Sequence, residues 1–298
     1  APSGKSTGKS EVACYHKKGI YHSMKMLKVF CKRLVHKNFL IKKVDDLEQL
    51  CDLMRKFEKR FGVFGGNVNY AMEGVFLKAA AKDNGKELWE FINDDVNNGL
   101  KPKMPMPVGN CIGGGLHSKK VKGKRPDFQE FLLIPKEKTY SRAITVNLRA
   151  YEHARHLLKA RGKNDENAWM TSLGDKDVLD VLRKLKIPLG LDVAASSFYK
   201  RKKYHYFNPK LDRTNEEQLL YLSNLIKNFG IFYIEDAFGE EEFEDFAKLL
   251  KKFPKSLIVG DDLTVTNYKR LEKAIEMKSI NDLIVKPNQN GSLVKVKS

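Results

Sequence analysis

Four polar side chains stand where short apolar runs end, and together they could perform metal-assisted acid–base chemistry. Asp192 follows Leu189-Gly190-Leu191, Glu235 follows Phe232-Tyr233-Ile234, Asp261 follows Ile258-Val259-Gly260, and Lys286 follows Leu283-Ile284-Val285. The last three are spaced by the length of one helix plus one strand, and Glu166 precedes Asp192 by a similar interval. A lone acid at a strand end is commonly a helix cap. Three in successive units, with a lysine at the same level, point instead to a shared site. Carboxylates so placed repel one another unless a cation neutralises them. An oxygen donor set without His or Cys suits Mg²⁺. A lysine beside such an ion is poised to act as a base, because the positive field disfavours its ammonium form.

The elements that must position these groups are legible as periodicity. Apolar runs at 128–135, 189–195, 231–236, 257–261 and 283–286 read as strands, near-continuously apolar as in a parallel sheet covered by helices. Between them lie helical patterns such as Val178, Leu179, Leu182 and Leu185, or Leu219, Leu222, Ile226 and Phe229. Repeated βα units of this kind fit a βα-barrel or an open doubly wound sheet; in a barrel, the carboxyl ends of the parallel strands open onto one face. The first hundred residues read mostly as helices. Met24, Leu27, Cys31 and Leu34 recur at helical spacing, as do Leu47, Leu50, Leu53, Met54 and Phe57, and a small-residue helix follows Gly65-Gly66-Asn67. Lys101-Pro102-Lys103, with Pro105 and Pro107, marks a junction between two domains, 1–103 and 104–298.

Composition narrows the class. With 298 residues, 42% hydrophobic and 31% charged, the chain has a real core and is not broadly disordered. No apolar run approaches the length of a membrane span, and no charged-then-apolar leader follows Ala1, so neither spanning nor secretion is expected. Cys14, Cys31, Cys51 and Cys111 are scattered, which indicates neither a zinc module nor a disulfide framework and fits a reducing cytosol. The net charge of +18, concentrated in the first half, permits a polyanionic partner. A solvated lysine-rich surface is the favoured reading, because few aromatics are interleaved to stack bases. The segment 4–10, Gly-Lys-Ser-Thr-Gly-Lys-Ser, is one residue short of the spacing of a phosphate-binding loop, and no strand precedes it.

Several motifs resemble those of the enolase family. They are Gly190-Leu191-Asp192-Val193-Ala194-Ala195-Ser196, Ile234-Glu235-Asp236, the run 260–267 (GDDLTVTN) and Lys286-Pro287-Asn288-Gln289. Pro2-Ser3-Gly4-Lys5-Ser6-Thr7-Gly8 resembles the family's mobile loop, and Gly113-Gly114-Gly115-Leu116-His117 with Asp127-Phe128-Gln129-Glu130-Phe131 resembles the opening of its barrel. The resemblance implies an α/β fold: an enolase-like (β/α) TIM-type barrel, incomplete at its C-terminal end, with a partial α+β N-terminal domain. It also implies that the family's start and its last two strand units, which bear a His-Arg-Ser segment and a second lysine, lie outside this chain.

The activity implied is Mg²⁺-dependent dehydration of 2-phosphoglycerate to phosphoenolpyruvate, by a cytoplasmic homodimer. Lys286 would be the base and Glu166 the general acid, assisted by Glu130, with His117 lining the substrate pocket. Asp192, Glu235 and Asp261 would hold Mg²⁺, Asp261 and Lys286 would also contact substrate, and Ser6 would contribute to a second Mg²⁺. The alternative is a catalytically impaired relative whose basic surface binds nucleic acid or a protein. Two departures stand out. Asn164-Asp165-Glu166-Asn167 replaces the family's Gly-Asp-Glu-Gly, a turn Asn can adopt because it tolerates positive φ. A basic stretch, 118–126, is longer than the family's.

Overall fold

The computed structural model describes residues 7–118, 123–158, 160 and 162–297. Ahead of the barrel, the described residues form four α-helices: α1 (Ile20–Leu34), α2 (Glu48–Phe61), α3 (Gly66–Asp83) and α4 (Leu88–Val96). Their apolar stripes meet in one core containing Phe30, Leu50, Met54, Phe57, Phe64, Leu77 and Phe91. The helical spacing of Leu50, Met54 and Phe57 is what points one face of α2 inward.

The second part opens with β1 (Gly109–Gly113) and β2 (Glu130–Leu133), followed by α5 (Tyr140–Leu158), β3 (Trp169–Met170) and α6 (Asp175–Leu182). After β4 (Leu189–Asp192) comes a small antiparallel sheet of β5 (Tyr199–Lys200), β6 (Lys203–Phe207) and β7 (Lys210–Arg213). Regular alternation then resumes with α7 (Asn215–Phe229), β8 (Tyr233–Glu235), α8 (Phe243–Lys252), β9 (Leu257–Gly260), α9 (Tyr268–Glu276) and β10 (Asp282–Leu283). Two short helices, α10 (Pro287–Asn290) and α11 (Leu293–Lys297), follow.

The main sheet has seven strands in the order β10-β9-β8-β4-β2-β1-β3, the open wall of an incomplete barrel. Ile112, Phe131, Leu191, Ile234 and Ile258 on its strands are fully buried, and Leu179, Leu222, Phe246 and Ala274 cover it from the helices. Among the described residues, no helix is long and apolar enough to cross a membrane.

Three expectations are corrected. The strand expected over 128–135 is β2, and it runs antiparallel to both β1 and β4. Parallel pairing needs a crossover, commonly a helix, and the described part of the β1–β2 connection carries none. The strand expected over 283–286 stops at Leu283; Lys286 is the extended residue that caps α10. Glu166 does not end a strand but precedes β3, in a turn closed by a bridge between Lys163 and Trp169. The wide interval between Asp192 and Glu235 is accounted for by the β5–β7 insertion.

Candidate active site

Parallel pairing of β4, β8, β9 and β10 puts their carboxyl ends on one rim. Asp192 lies directly opposite Glu235, which lies opposite Val259, two residues before Asp261. Because β2 is antiparallel, its first residue reaches the same rim, where Glu130 faces Asp192 across the pair. The result is a cavity of about 310 Å³ lined by His117, Glu130, Glu166, Asp192, Glu235, Asp261 and Lys286. Every expected site residue except one thus reaches a single cavity. Ser6 lies outside the described residues.

Each side chain is held by identifiable partners. Asp192 accepts from the Gln129 amide at 3.0 Å through Oδ2 and from the Ala194 N–H at 3.0 Å through Oδ1. The Tyr233 hydroxyl donates to Glu235 Oε2 at 2.5 Å. Asp261 receives the Gln289 amide on Oδ1 at 2.8 Å and the Lys286 ammonium on Oδ2. Glu166 accepts from the Asn110 amide at 3.2 Å, and its Oε1 lies 3.5 Å from His117 Nε2. The other ring nitrogen of His117 is 3.0 Å from Asp165 Oδ1. The turn carrying Asp165 and Glu166 forms with Asn167 at φ 62, in the left-handed region. Asn164 Oδ1 closes it by accepting from the N–H groups of Glu166 and Ala168. This turn sits against β1 only because Gly113 lacks a side chain: a Cβ there would lie 2.1 Å from Asn164 Nδ2.

The electrostatics are those of crowded, buried like charges. Burial, then the charges of Glu166 and Glu235, pushes Glu130 up to about 9, so it holds its proton at neutral pH and can donate to Glu166. Burial and Asp261 push Glu235 up to about 7. Asp192 is driven well above the usual carboxylate range by burial, then by Glu235 and Glu130. Lys286 stands among these carboxylates. Burial alone would lower it, but Asp261, Glu235 and Asp192 outweigh burial and hold the ammonium above its ordinary value. The carboxylates favour the charged lysine until their own charge is neutralised.

Two acids that the sequence reading left without a role also line the cavity, Asp236 and Asp262. Ligand oxygens of Asp236, Asp261 and Asp262 lie within 4.8 Å of one another. Asp236 also organises the β9 end, its two oxygens accepting the N–H groups of Asp261 at 3.0 Å and Asp262 at 2.8 Å. The signal was the doubling of acids in Glu235-Asp236 and Asp261-Asp262. An all-oxygen, buried cluster, in which burial and then the neighbouring carboxylates push Asp236 and Asp262 up, is a donor set suited to a hard divalent cation.

Comparison with known proteins agrees with this geometry. The family model described as "Enolase, C-terminal TIM barrel domain" matches residues 101–297. The enolase of Methanosphaera stadtmanae is 33% identical over 98% of this chain and 73% of its own length. Those of Picrophilus torridus and Thermoplasma acidophilum are 32% and 33% identical, each over 98% of this chain and 74% of their own lengths. Motif order, barrel topology and the converging rim carboxylates therefore agree with the match over nearly the whole chain, and the chain belongs to the enolase family.

Proposed function

We propose that this cavity dehydrates 2-phosphoglycerate to phosphoenolpyruvate with Mg²⁺ bound among Asp192, Glu235 and Asp261, an all-oxygen set that shares Asp261 with the Asp236–Asp261–Asp262 cluster. The observation that carries the reading is the convergence into one cavity of these three carboxylates, at the ends of adjacent parallel strands, and of Lys286, which caps α10 beyond β10. When bound, the ion supplies positive charge for the substrate carboxylate as negative charge develops there. Lys286 Nζ, once neutral, takes the proton from C2. Glu166 delivers a proton to the C3 hydroxyl, which departs as water while the C2–C3 double bond forms. Glu130, kept protonated by burial, donates to Glu166 and fixes its orientation. His117, anchored by Asp165, borders the substrate.

Ser6, which lies outside the described residues, would by the family resemblance contribute to a second Mg²⁺. Residues 1–103 and 104–298 are read as the two domains, and the protein as a cytoplasmic homodimer.

The test follows phosphoenolpyruvate formation by ultraviolet absorbance with and without Mg²⁺. Lys286→Ala is expected to lower turnover by about 10²–10⁴-fold. Glu166→Gln is expected to block dehydration yet retain solvent exchange of the C2 proton. Turnover indifferent to Mg²⁺, or to Lys286→Ala, would sink the assignment.

A further inference from the structure

Gln289 is 3% exposed, and its amide is committed entirely to other side chains. Its Nε2 donates to Asp261 Oδ1 at 2.8 Å and to Glu11 Oε1 at 3.3 Å, while its Oε1 accepts from the Thr266 hydroxyl at 3.0 Å. The same Thr266 Oγ1 accepts the backbone N–H of Lys286 at 2.8 Å. Both hydrogens of one NH₂ group thus bridge two carboxylates far apart in sequence.

Glu11 belongs to a segment folded over the rim. Its Oε1 also accepts the Gly8 N–H at 3.1 Å, the Lys9 N–H donates to Glu240 Oε2 at 2.7 Å, and the Val12 N–H donates to the Gln289 carbonyl at 3.0 Å. On the far side, Val265 and Thr266 adopt φ 43 and φ 52, a region β-branched residues strongly avoid. Such a conformation persists only where its surroundings over-determine it. Here it presents the Thr266 hydroxyl to Gln289 and Lys286 together.

We propose that Gln289 is a positioning residue that couples the 7–12 segment to the reacting groups, setting the Asp261 carboxylate through one N–H, gripping Glu11 through the other, and meeting the Lys286 backbone through Thr266. An ordinary buried glutamine would satisfy its amide on nearby backbone. This one spends both hydrogens on carboxylates of two different parts of the molecule. With Gln289 on Oδ1 and Lys286 on Oδ2, the plane of Asp261 is defined. Seating of the 7–12 segment thereby becomes linked to the geometry of Asp261 and Lys286. The proposal rests on the functional reading above, in which Asp261 holds the metal and Lys286 is the base.

The test is a double-mutant cycle on the full chain with two readouts, Mg²⁺ affinity by calorimetry and amide hydrogen exchange. Glu11→Ala is expected to weaken Mg²⁺ binding by about fivefold, the worth of one side-chain hydrogen bond, although Glu11 is not among the proposed ligands. Glu11→Gln, which keeps the acceptor and removes the charge, should stay close to the unmodified protein. In a Gln289→Leu background, Glu11→Ala should have no further effect. Glu11→Ala should also speed exchange of the Lys286 N–H.

Equal weakening by Glu11→Ala and Glu11→Gln would mean simple charge loss and would overturn the coupling. So would an unchanged Lys286 N–H in Glu11→Ala, which remains readable if Gln289→Leu does not fold. Failure of the unmodified protein to bind Mg²⁺ would count against the functional reading instead, with the exchange experiment still deciding the coupling.

Discussion

Asp175 shows how one side chain can hold a loop in place and impose a pH dependence doing so. It is 3% exposed at the start of α6, and its Oδ1 accepts the N–H groups of Asp127 at 2.8 Å and Phe128 at 3.1 Å. Those two residues lead directly into Gln129 and Glu130. Burial, then the charge of Asp127, pushes Asp175 up to about 8. Between its ordinary value and about 8 the folded state retains a proton the unfolded chain has released. Stability contributed by this group is therefore lost as pH rises through that window. Asp175→Asn keeps the oxygen acceptor and removes the charge. Thermal melts should show a higher melting temperature for the variant at pH 8 and little difference at pH 4, and no gain at pH 8 would refute this account.

At the scale of elements, the helices of the barrel follow their sequence signals closely. Thr214 caps α7, its hydroxyl accepting from the Glu217 N–H at 3.3 Å while Glu217 Oε2 accepts the Thr214 N–H at 2.8 Å. Behind this box, Leu219, Leu222, Leu225 and Ile226 bury one face against the sheet, and Gly230 ends the helix at φ 63. Thr214→Ala is expected to cost about 1 kcal/mol, seen as a lower urea midpoint with an unchanged slope. Strands were harder to read. The apolar run containing β2 is indistinguishable locally from its parallel neighbours, because a strand buried on both faces looks the same in either direction. What sets the direction is the connection, not the run. Similarly, the turn at Glu166 was expected from Asn164 and Asn167, but its place ahead of β3 was not.

Across the whole molecule, the helical part and the barrel are joined through the chain that follows Lys286. Glu73, buried on α3, accepts from the Cys51 thiol at 3.1 Å, the Ser292 hydroxyl at 3.3 Å and the Leu293 N–H at 2.5 Å. Leu293 and Val294 then pack onto the core of α1–α4. Between these anchors the backbones cross closely, since a Cβ on Gly291 would lie 2.7 Å from the Gly66 Cα. The segment from Lys286 to α11 is consequently held at both ends, by Asp261 on one side and Glu73 on the other. Glu73→Leu leaves the Leu293 N–H without its acceptor, and a stability loss of about 1–3 kcal/mol is expected. Hydrogen exchange should speed at Leu293 and Val294 while the amides of β4, β8 and β9 stay protected. Uniform loss of protection would show that Glu73 is merely a core residue.

The sequence by itself determined which polar groups follow the apolar runs and in what order: Asp192, Glu235 and Asp261 at strand ends, Lys286 beyond the next apolar run, and helices with a buried stripe between them. Such features repeat with the local period of a helix or strand and are visible without knowing what lies opposite. Only the tertiary structure decided that β2 reverses to bring Glu130 beside Asp192, that Asp236 and Asp262 join the cavity, and that Gln289 bridges Glu11 to Asp261. Those facts depend on which strand pairs with which and on hydrogen bonds spanning hundreds of residues. Such partners are chosen by packing and desolvation of the whole chain, and they leave no trace in local periodicity.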